Sequence, residues 1–342
     1  MSLVAPYLQT QELGARYRGQ AVNLAERRVL ITNFHGTEQE QDLSERPNCN
    51  GFGRVRHFRR RRAEQWVEDP LPIDPAAKAL GLQSDQQLRA QVFQNAVCNW
   101  RCWYCFVPFT LLDANKHRSK MMAAAELVEL WLQEPNRPQT IDLTGGQPEL
   151  VPEWVLWMMV ELRERKLEGA VYLWSDDSLS ADYFWSALAA KDRELIASYP
   201  LYGRVCCFKG FDEKSFSFNT MAAPEQFARQ FERMEKLLAM GLDLYGYVTF
   251  TTSDRGDLHG RMNRFVDRLQ RLDENLPLRT VPLKIDIFTP TASRMNDERQ
   301  LGLENQFRAL EVWRTILERR FSSDLRTSRI CDVALSRGAR RV

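Results

Sequence analysis

The sequence lacks several features that assign a protein to a class at once. Its longest uninterrupted apolar run, Trp154 to Val160, falls far short of the roughly 20 residues that a membrane span needs. The N-terminal segment has no charged start followed by an apolar core, so we expect no secretory signal. With 17 glycines and 15 prolines in 342 residues, collagen-like and low-complexity classes are excluded as well.

The chain also lacks an excess of charge of either sign. Its 47 lysines and arginines against 45 aspartates and glutamates give a net charge of +2, so no overall field drives it onto nucleic acid or a membrane. The 7 cysteines are odd in number, which predicts free thiols in a reducing, cytoplasmic setting. Such thiols serve as metal ligands, nucleophiles or core residues.

Three regions follow one another along the chain. Residues 1–90 are polar and rich in turn formers, which predicts an irregular extension that folds over the substrate site. In residues 91–295, strand-like segments alternate with helical patterns, which favours parallel strands and right-handed crossovers. This alternation predicts an α/β fold, a partial (β/α)6 TIM-like barrel, followed by a C-terminal helix and tail in residues 296–342. The strands are predicted at 91–98, 140–144, 170–175, 202–209, 243–250 and 282–288.

The predicted strands have two unlike faces. Ile141 and Leu143 share one face of their strand, whereas Asp142 lies on the other. The segment 244–249 repeats this pattern, with tyrosines on the second face. Because a parallel strand covered on both sides is nearly continuous in apolar residues, the polar and aromatic face predicts a chamber that holds a ligand.

A cysteine motif carries the most specific chemical signal. Cys98, Cys102 and Cys105 form a C-x-x-x-C-x-x-C run after the first predicted strand, and three thiolates this close can share one soft metal centre. A 4Fe-4S cluster bound by three cysteines leaves its fourth iron open, as a catalytic zinc keeps an open position. The alternative is a zinc-binding interaction module, in which a histidine such as His117 completes the site.

These cysteines, with Tyr104 before the last of them, resemble the cluster motif of the radical S-adenosylmethionine (radical SAM) superfamily. A second segment, Gly145-Gly146-Gln147-Pro148, is similar to the family's Gly-Gly-Glu-Pro, which holds the amino group of the cofactor. Gln147 replaces the usual glutamate, so a carbonyl acceptor is kept and a charge is lost. The resemblance covers residues 91 to about 290.

The resemblance implies an oxidoreductase with one 4Fe-4S cluster and S-adenosyl-L-methionine as cofactors. In this family the open iron holds the methionine end of the cofactor, and one electron enters the sulfonium. The resulting 5′-deoxyadenosyl radical takes a hydrogen atom from the substrate. The resemblance also implies an electron donor such as flavodoxin or ferredoxin. For the substrate we expect a small molecule or a nucleotide.

Four further residues are predicted near this site. Ser175 and Asp177 end the third predicted strand, where polar groups of the family meet ribose hydroxyls; the alternative is a helix N-cap. Lys209, followed by Gly-Phe-Asp, is similar to the cofactor-binding lysine of glycyl-radical activating enzymes. Because side chains alternate along a strand, Cys207 lies on the same face as Lys209. There it could donate a hydrogen atom or contact the substrate; the alternative is ordinary core packing.

Two other substrate classes stay open. The segment from Lys209 to Asp212 favours an activating enzyme that acts on a partner protein. The arginine run at residues 54–62 favours phosphates or RNA, although nearby acids such as Glu64 and Glu68 also fit a solvated face. We expect no membrane partner, and only one cluster, because the remaining cysteines are scattered.

Overall fold

The computed structural model describes residues 7–83 and 85–336, which form ten strands and twelve α-helices. In chain order the strands are β1 (Val22–Asn23), β2 (Arg28–Thr32), β3 (Gly53–Arg59), β4 (Gln87–Phe93), β5 (Ser119–Ala123), β6 (Thr140–Leu143), β7 (Tyr172–Asp177), β8 (Tyr202–Phe208), β9 (Leu244–Thr249) and β10 (Thr280–Leu283). The helices are α1 (Thr10–Ala21), α2 (Ile73–Leu80), α3 (Ala124–Gln133), α4 (Glu153–Glu164), α5 (Tyr183–Ser186), α6 (Ala190–Ser198), α7 (Glu213–Thr220), α8 (Gln226–Ala239), α9 (Leu258–Leu272), α10 (Thr289–Ala292), α11 (Asp297–Arg320) and α12 (Ser323–Thr327). In the described part of the chain, no helix is both long and apolar enough to cross a bilayer.

Seven of these strands form one curled sheet, in the order β10-β9-β8-β7-β6-β4-β3. Within this sheet β4, β6, β7, β8, β9 and β10 are paired in parallel, whereas the edge strand β3 is antiparallel to β4. The sheet forms a half-barrel with edges at β3 and β10. The predicted α/β class and partial (β/α)6 barrel are therefore confirmed.

The two faces of the sheet differ as the sequence pattern predicted. Leu143 and Val248 belong to the outer core, where the sheet packs against helices. Tyr245, Tyr247 and Cys207 belong to a second cluster inside the half-barrel. The period-two alternation of each strand therefore separates an aliphatic outer face from an aromatic and polar interior.

The N-terminal ninety residues, expected to be irregular, contain regular structure. Strands β1 and β2 pair with β5 in a small antiparallel sheet, and β3 extends the half-barrel. On α2, Ile73 and Ala76 pack against Trp174 inside the half-barrel. Strand β3 was not predicted because Arg54 and Arg56 occupy positions of its inner face, where a strand pattern normally has apolar residues.

Two predicted strands end earlier than expected. Strand β4 stops before the cysteine motif, because the chain turns to pair with β2: the Thr32 N–H donates to the Gln94 carbonyl at 2.9 Å. Strand β10 begins and ends earlier, so Lys284 and Asp286 follow the strand instead of lying on its face. Both shifts move chemistry-bearing residues from the sheet into loops at its carboxyl edge.

Aromatic rings form the part of the outer core between α8, α9 and the sheet. The ring of Phe265 on α9 lies 5.8 Å from that of Phe208, 6.0 Å from Phe231 and 6.2 Å from Trp313, measured between centroids. These rings come from β8, α8 and α11, so one side chain joins three elements. Edge-to-face and tilted pairs at such distances add to the effect of burial itself.

We expect Phe265→Ala to lower the free energy of unfolding by about 3–5 kcal/mol, because a buried ring is replaced by a cavity. Urea denaturation followed by circular dichroism measures this loss. The control is Leu24→Ala, since Leu24 is 57% exposed and should change stability by no more than about 0.5 kcal/mol. A loss below about 1 kcal/mol for Phe265→Ala would contradict this description of the core.

Candidate active site

A cavity of about 220 Å³ lies at the carboxyl edge of the parallel strands. The loop after β4, the loop after β6 and the end of β8 all contribute to its wall, although they are far apart in sequence. Of the residues singled out from the sequence, those that line it are Cys98, Cys102, Tyr104, Cys105, Gly145, Gly146, Cys207 and Lys209.

The cysteine loop, residues 98–105, is held by its main chain. The Cys105 N–H donates to the Cys102 carbonyl at 3.0 Å. The guanidinium of Arg101 donates to the Cys98 carbonyl at 2.6 Å, and that of Arg294 donates to the Cys105 carbonyl at 2.7 Å. Two arginines thus fix the backbone of the loop without engaging its thiols.

Burial makes these thiols weak acids. It raises the pKa of Cys102 to about 12, against the influence of the Lys209 cation, and it also raises the pKa of Cys98 and Cys105. All three are free cysteines. Because metal coordination deprotonates a thiol outright, a metal centre is the partner that would ionise them.

No compact site for a single metal ion is formed within residues 7–83 and 85–336: no three His, Cys, Asp or Glu side chains are gathered in that way. His117, the histidine considered as a fourth zinc ligand, is exposed and lies outside the cavity lining. The three cysteines instead share one wall of the cavity.

The glycine loop, residues 145–147, packs directly on the backbone that leads into the cysteine loop. Gly145 and Gly146 have φ values of +80° and +66°, in the left-handed region. A Cβ on Gly146 would lie 2.3 Å from the Asn95 carbonyl oxygen and 2.6 Å from that of Val97. The Gln147 N–H donates to the same Val97 carbonyl at 2.7 Å. Only glycine permits this approach.

The side chains of Gln147, Ser175 and Asp177 lie in the wall behind the cavity. The Gln147 amide donates to Asp177 Oδ1 at 3.2 Å, and its oxygen accepts from the Ser178 N–H at 3.0 Å. The Ser175 hydroxyl is bonded to the Tyr202 hydroxyl at 2.7 Å. The structure therefore does not bring these three side chains together with the cysteines.

Asp176, rather than its two neighbours, reaches the cavity. Trp174, two residues earlier on β7, points into the half-barrel, and period two carries Asp176 to the same side. Its carboxylate accepts a hydrogen bond from the Thr144 hydroxyl. Burial raises the pKa of Asp176, and the bond from Thr144 opposes that rise. Pro148, by contrast, starts a short buried 3-10 helix behind the glycine loop.

Lys209 places a half-buried cation beside the cysteine loop. Its electrostatic neighbours include Cys207, Tyr104 and Cys102. The Tyr104 hydroxyl is bonded to the Thr249 hydroxyl at 2.9 Å, which orients the ring. These contacts join the end of β8, the end of β9 and the cysteine loop in one wall.

Asp212, the last residue of the segment that resembled activating enzymes, has a structural role. It is the N-cap of α7, where its carboxylate accepts from the Ser215 N–H at 2.8 Å. The same carboxylate pairs with Arg261. Nothing in its surroundings directs it toward the cavity, so this segment no longer distinguishes an activating enzyme from other classes.

A second group of lining residues was not assigned to the site one by one, although the tyrosines of segment 244–249 lie on the face predicted to line a chamber. Arg56 and Arg62 come from the N-terminal extension, Tyr247 from β9, and Lys284 and Phe288 from the chain after β10. The arginine run was visible in the sequence, but its balance with nearby acids was equally typical of a solvated surface. Only the pairing of β3 with β4 turns Arg56 to the interior.

Comparisons with known proteins give little beyond these observations. No protein-family model matches the sequence, and no curated protein matches it significantly. Among solved structures, SuiB of Streptococcus suis bound to S-adenosylmethionine is matched with a TM-score of 0.38 and 13% identity, over 52% of this chain and 36% of SuiB. SuiB bound to its precursor peptide SuiA is matched with a TM-score of 0.39 and 13% identity, over 53% and 36%. The match thus spans little more than a third of SuiB.

We expect Gly146→Ala to lower the free energy of unfolding by about 2–3 kcal/mol, because the new methyl group meets two main-chain carbonyls and a positive φ. Chemical denaturation measures the loss. Gly169→Ala is the matched control: nothing lies within 4 Å of its Cβ, so we expect no loss. Equal stability of the two variants would contradict the tight packing of the glycine loop.

Proposed function

We propose that this chain is a radical SAM enzyme, an oxidoreductase that binds one 4Fe-4S cluster and S-adenosyl-L-methionine. The observation that carries the proposal is the meeting of the cysteine loop, the glycine loop and Lys209 around one cavity at the carboxyl edge of parallel strands. Ligands of parallel α/β folds bind at this edge. A zinc-binding interaction module would require neither the glycine loop nor the lysine.

The donor set fits the proposed cofactors. Cys98, Cys102 and Cys105 supply three thiolates for three irons and leave the fourth iron for the cofactor. When bound, the cluster supplies one electron for the cleavage of S-adenosyl-L-methionine, whose 5′-deoxyadenosyl group then removes hydrogen from the substrate. Gly145 and Gly146 have no side chains to cover their main chain. Their carbonyl groups can therefore accept hydrogen bonds from the amino group of the cofactor.

The remaining polar residues are assigned by their positions. Lys209 offers a half-buried cation for the carboxylate of the cofactor. Asp176 faces the cavity, where its carboxylate accepts hydrogen bonds from ribose hydroxyls. In this proposal Gln147 and Asp177 act indirectly, because their mutual hydrogen bond holds the wall behind the glycine loop. Ser175 and Pro148 lie in the same wall behind the glycine loop.

Cys207 is assigned to the substrate side of the cavity. Its side chain lines the cavity, whereas that of Cys206 packs in the outer core. Burial raises the pKa of Cys207 to about 12, so it keeps its S–H bond near neutral pH. A thiol in this state can give a hydrogen atom to a substrate radical, and the thiyl radical that is left returns to the thiol on taking up one electron from the donor and one proton. The electron for each turnover comes from a separate donor, for which flavodoxin and ferredoxin are the expected classes.

Anaerobic reconstitution with iron and sulfide should give about four irons per chain. We expect Cys102→Ser to bind less than one iron, because a thiolate ligand is replaced by a hydroxyl. Incubation with S-adenosyl-L-methionine and a strong reductant should release 5′-deoxyadenosine from the wild type and not from Cys102→Ser. Iron analysis and chromatography of the nucleoside are the measurements.

The matched control for this experiment is Cys331→Ser, since Cys331 is a half-buried free cysteine outside the cavity lining. It should keep its iron and its nucleoside release. One zinc per chain with no iron in the wild type would contradict the proposal and favour the interaction module.

A further inference from the structure

The arginine run at residues 54–62 is only partly exposed. Alternation along β3 turns Arg54 and Arg56 toward the interior of the half-barrel and leaves Arg59 on the opposite, exposed face. Arg60 and Arg61 are each paired with a carboxylate of the chain. Two positive charges of the run, those of Arg54 and Arg56, therefore lie inside the half-barrel.

Cations outnumber carboxylates around the cavity. Lys284 and Asp286 pair with each other, and Asp176 accepts a hydrogen bond from a threonine. Arg56 comes from β3, and Arg62 comes from the segment that follows it. The cationic lining residues are Arg56, Arg62, Lys209 and Lys284, and the carboxylates among the described lining residues are Asp176 and Asp286.

Fixed neighbours orient the two arginines. The guanidinium of Arg56 lies 4.1 Å from the centroid of the Phe58 ring and 3.9 Å from the Asp142 carboxylate. The guanidinium of Arg62 lies 2.9 Å from Asp69, which also accepts from the Tyr247 hydroxyl at 2.8 Å. A guanidinium has five N–H donors, so each arginine keeps donors for a ligand in the cavity.

The layer next to Arg56 carries unsatisfied polar atoms. Arg54 is 5% exposed, yet its Nε and Nη2 have no hydrogen-bond partner, and neither does either carboxylate oxygen of Asp142. Burial and the neighbouring Asp176 raise the pKa of Asp142, which weakens its compensation of the arginines. A buried cation without full compensation favours the binding of an anion nearby.

The extension also closes the half-barrel. After β3 the chain crosses to the other edge of the sheet, where the Trp66 indole N–H donates to the Pro282 carbonyl at 3.1 Å. Helix α2 packs inside the half-barrel at the level of Tyr172 and Trp174. The side and the lower end of the chamber are thus occupied by this chain itself, which leaves room for a small molecule.

We propose that the substrate is a small organic anion whose carboxylate or phosphate group is bound by Arg56 and Arg62. This proposal rests on the proposed function for the reaction, whereas the binding of the anion does not depend on it. The planar guanidinium groups match carboxylate and phosphate in geometry and charge. Lys209 lies near the cysteines and remains assigned to the carboxylate of the cofactor.

The test is a calorimetric titration of inorganic phosphate and of malonate into the full, cluster-loaded chain with S-adenosyl-L-methionine, at constant ionic strength. At least one of the two probes should bind, and which of them binds identifies the anionic group. Arg56→Gln and Arg62→Gln should each weaken this binding about tenfold, since each loses a charged hydrogen-bond donor. Arg59→Gln, on the same strand but the outer face, should bind the probe like the wild type.

Several outcomes would overturn the inference. These are failure of both probes to bind the wild type, equal loss in Arg59→Gln, or a parallel loss of S-adenosyl-L-methionine affinity in the two cavity variants. Retention of single-stranded RNA that depends on Arg59 and not on Arg56 would also overturn it, in favour of a surface site. If Arg56→Gln fails to fold, Arg62→Gln and the charge-retaining Arg56→Lys decide, and Arg56→Lys should bind the probe more tightly than Arg62→Gln. Iron content, measured on the same samples, reports on the proposed function separately.

Discussion

The contact of Gly146 with the carbonyl oxygens of Asn95 and Val97 is the constraint on which the rest of the site depends. Main-chain atoms cannot move aside as a flexible side chain does, so the distance between the two loops is fixed. The Asn95 amide donates to the Gln147 carbonyl at 3.1 Å and adds a second tie. The cysteine loop and the glycine loop therefore act as one rigid edge of the cavity.

Charge inside the half-barrel is the second organising feature. Arg204, fully buried, lies 3.0 Å from the Glu149 carboxylate in the wall behind the glycine loop. This pair faces the outer side of the sheet, whereas Arg54, Arg56 and Asp142 lie on its inner side. Burying such charges costs free energy unless partners compensate them, and both groups keep polar atoms without a hydrogen-bond partner. The inner group differs from the outer pair because its Arg56 also lines the cavity.

The N-terminal extension is part of this arrangement rather than an appendage to it. It supplies the edge strand β3, the helix α2 inside the half-barrel and the segment that reaches β10. A half-barrel leaves two sheet edges open, and such edges need cover. The same residues that provide the cover bring Arg56 and Arg62 to the cavity, so closure of the barrel and formation of the pocket depend on one segment.

The sequence by itself determined the α/β class, the six parallel strands, the faces of those strands and the motifs of Cys98, Gly146 and Lys209. The strands and their faces follow from local periodicity, whereas the motifs were identified by their resemblance to those of a known family; both signals act over a few residues. Only the tertiary structure decided that Asp176 reaches the cavity while Gln147 lies behind it, and that Arg56 faces inward. Those outcomes depend on which strands pair and in what register, because pairing sets the side of the sheet to which each polar side chain is turned.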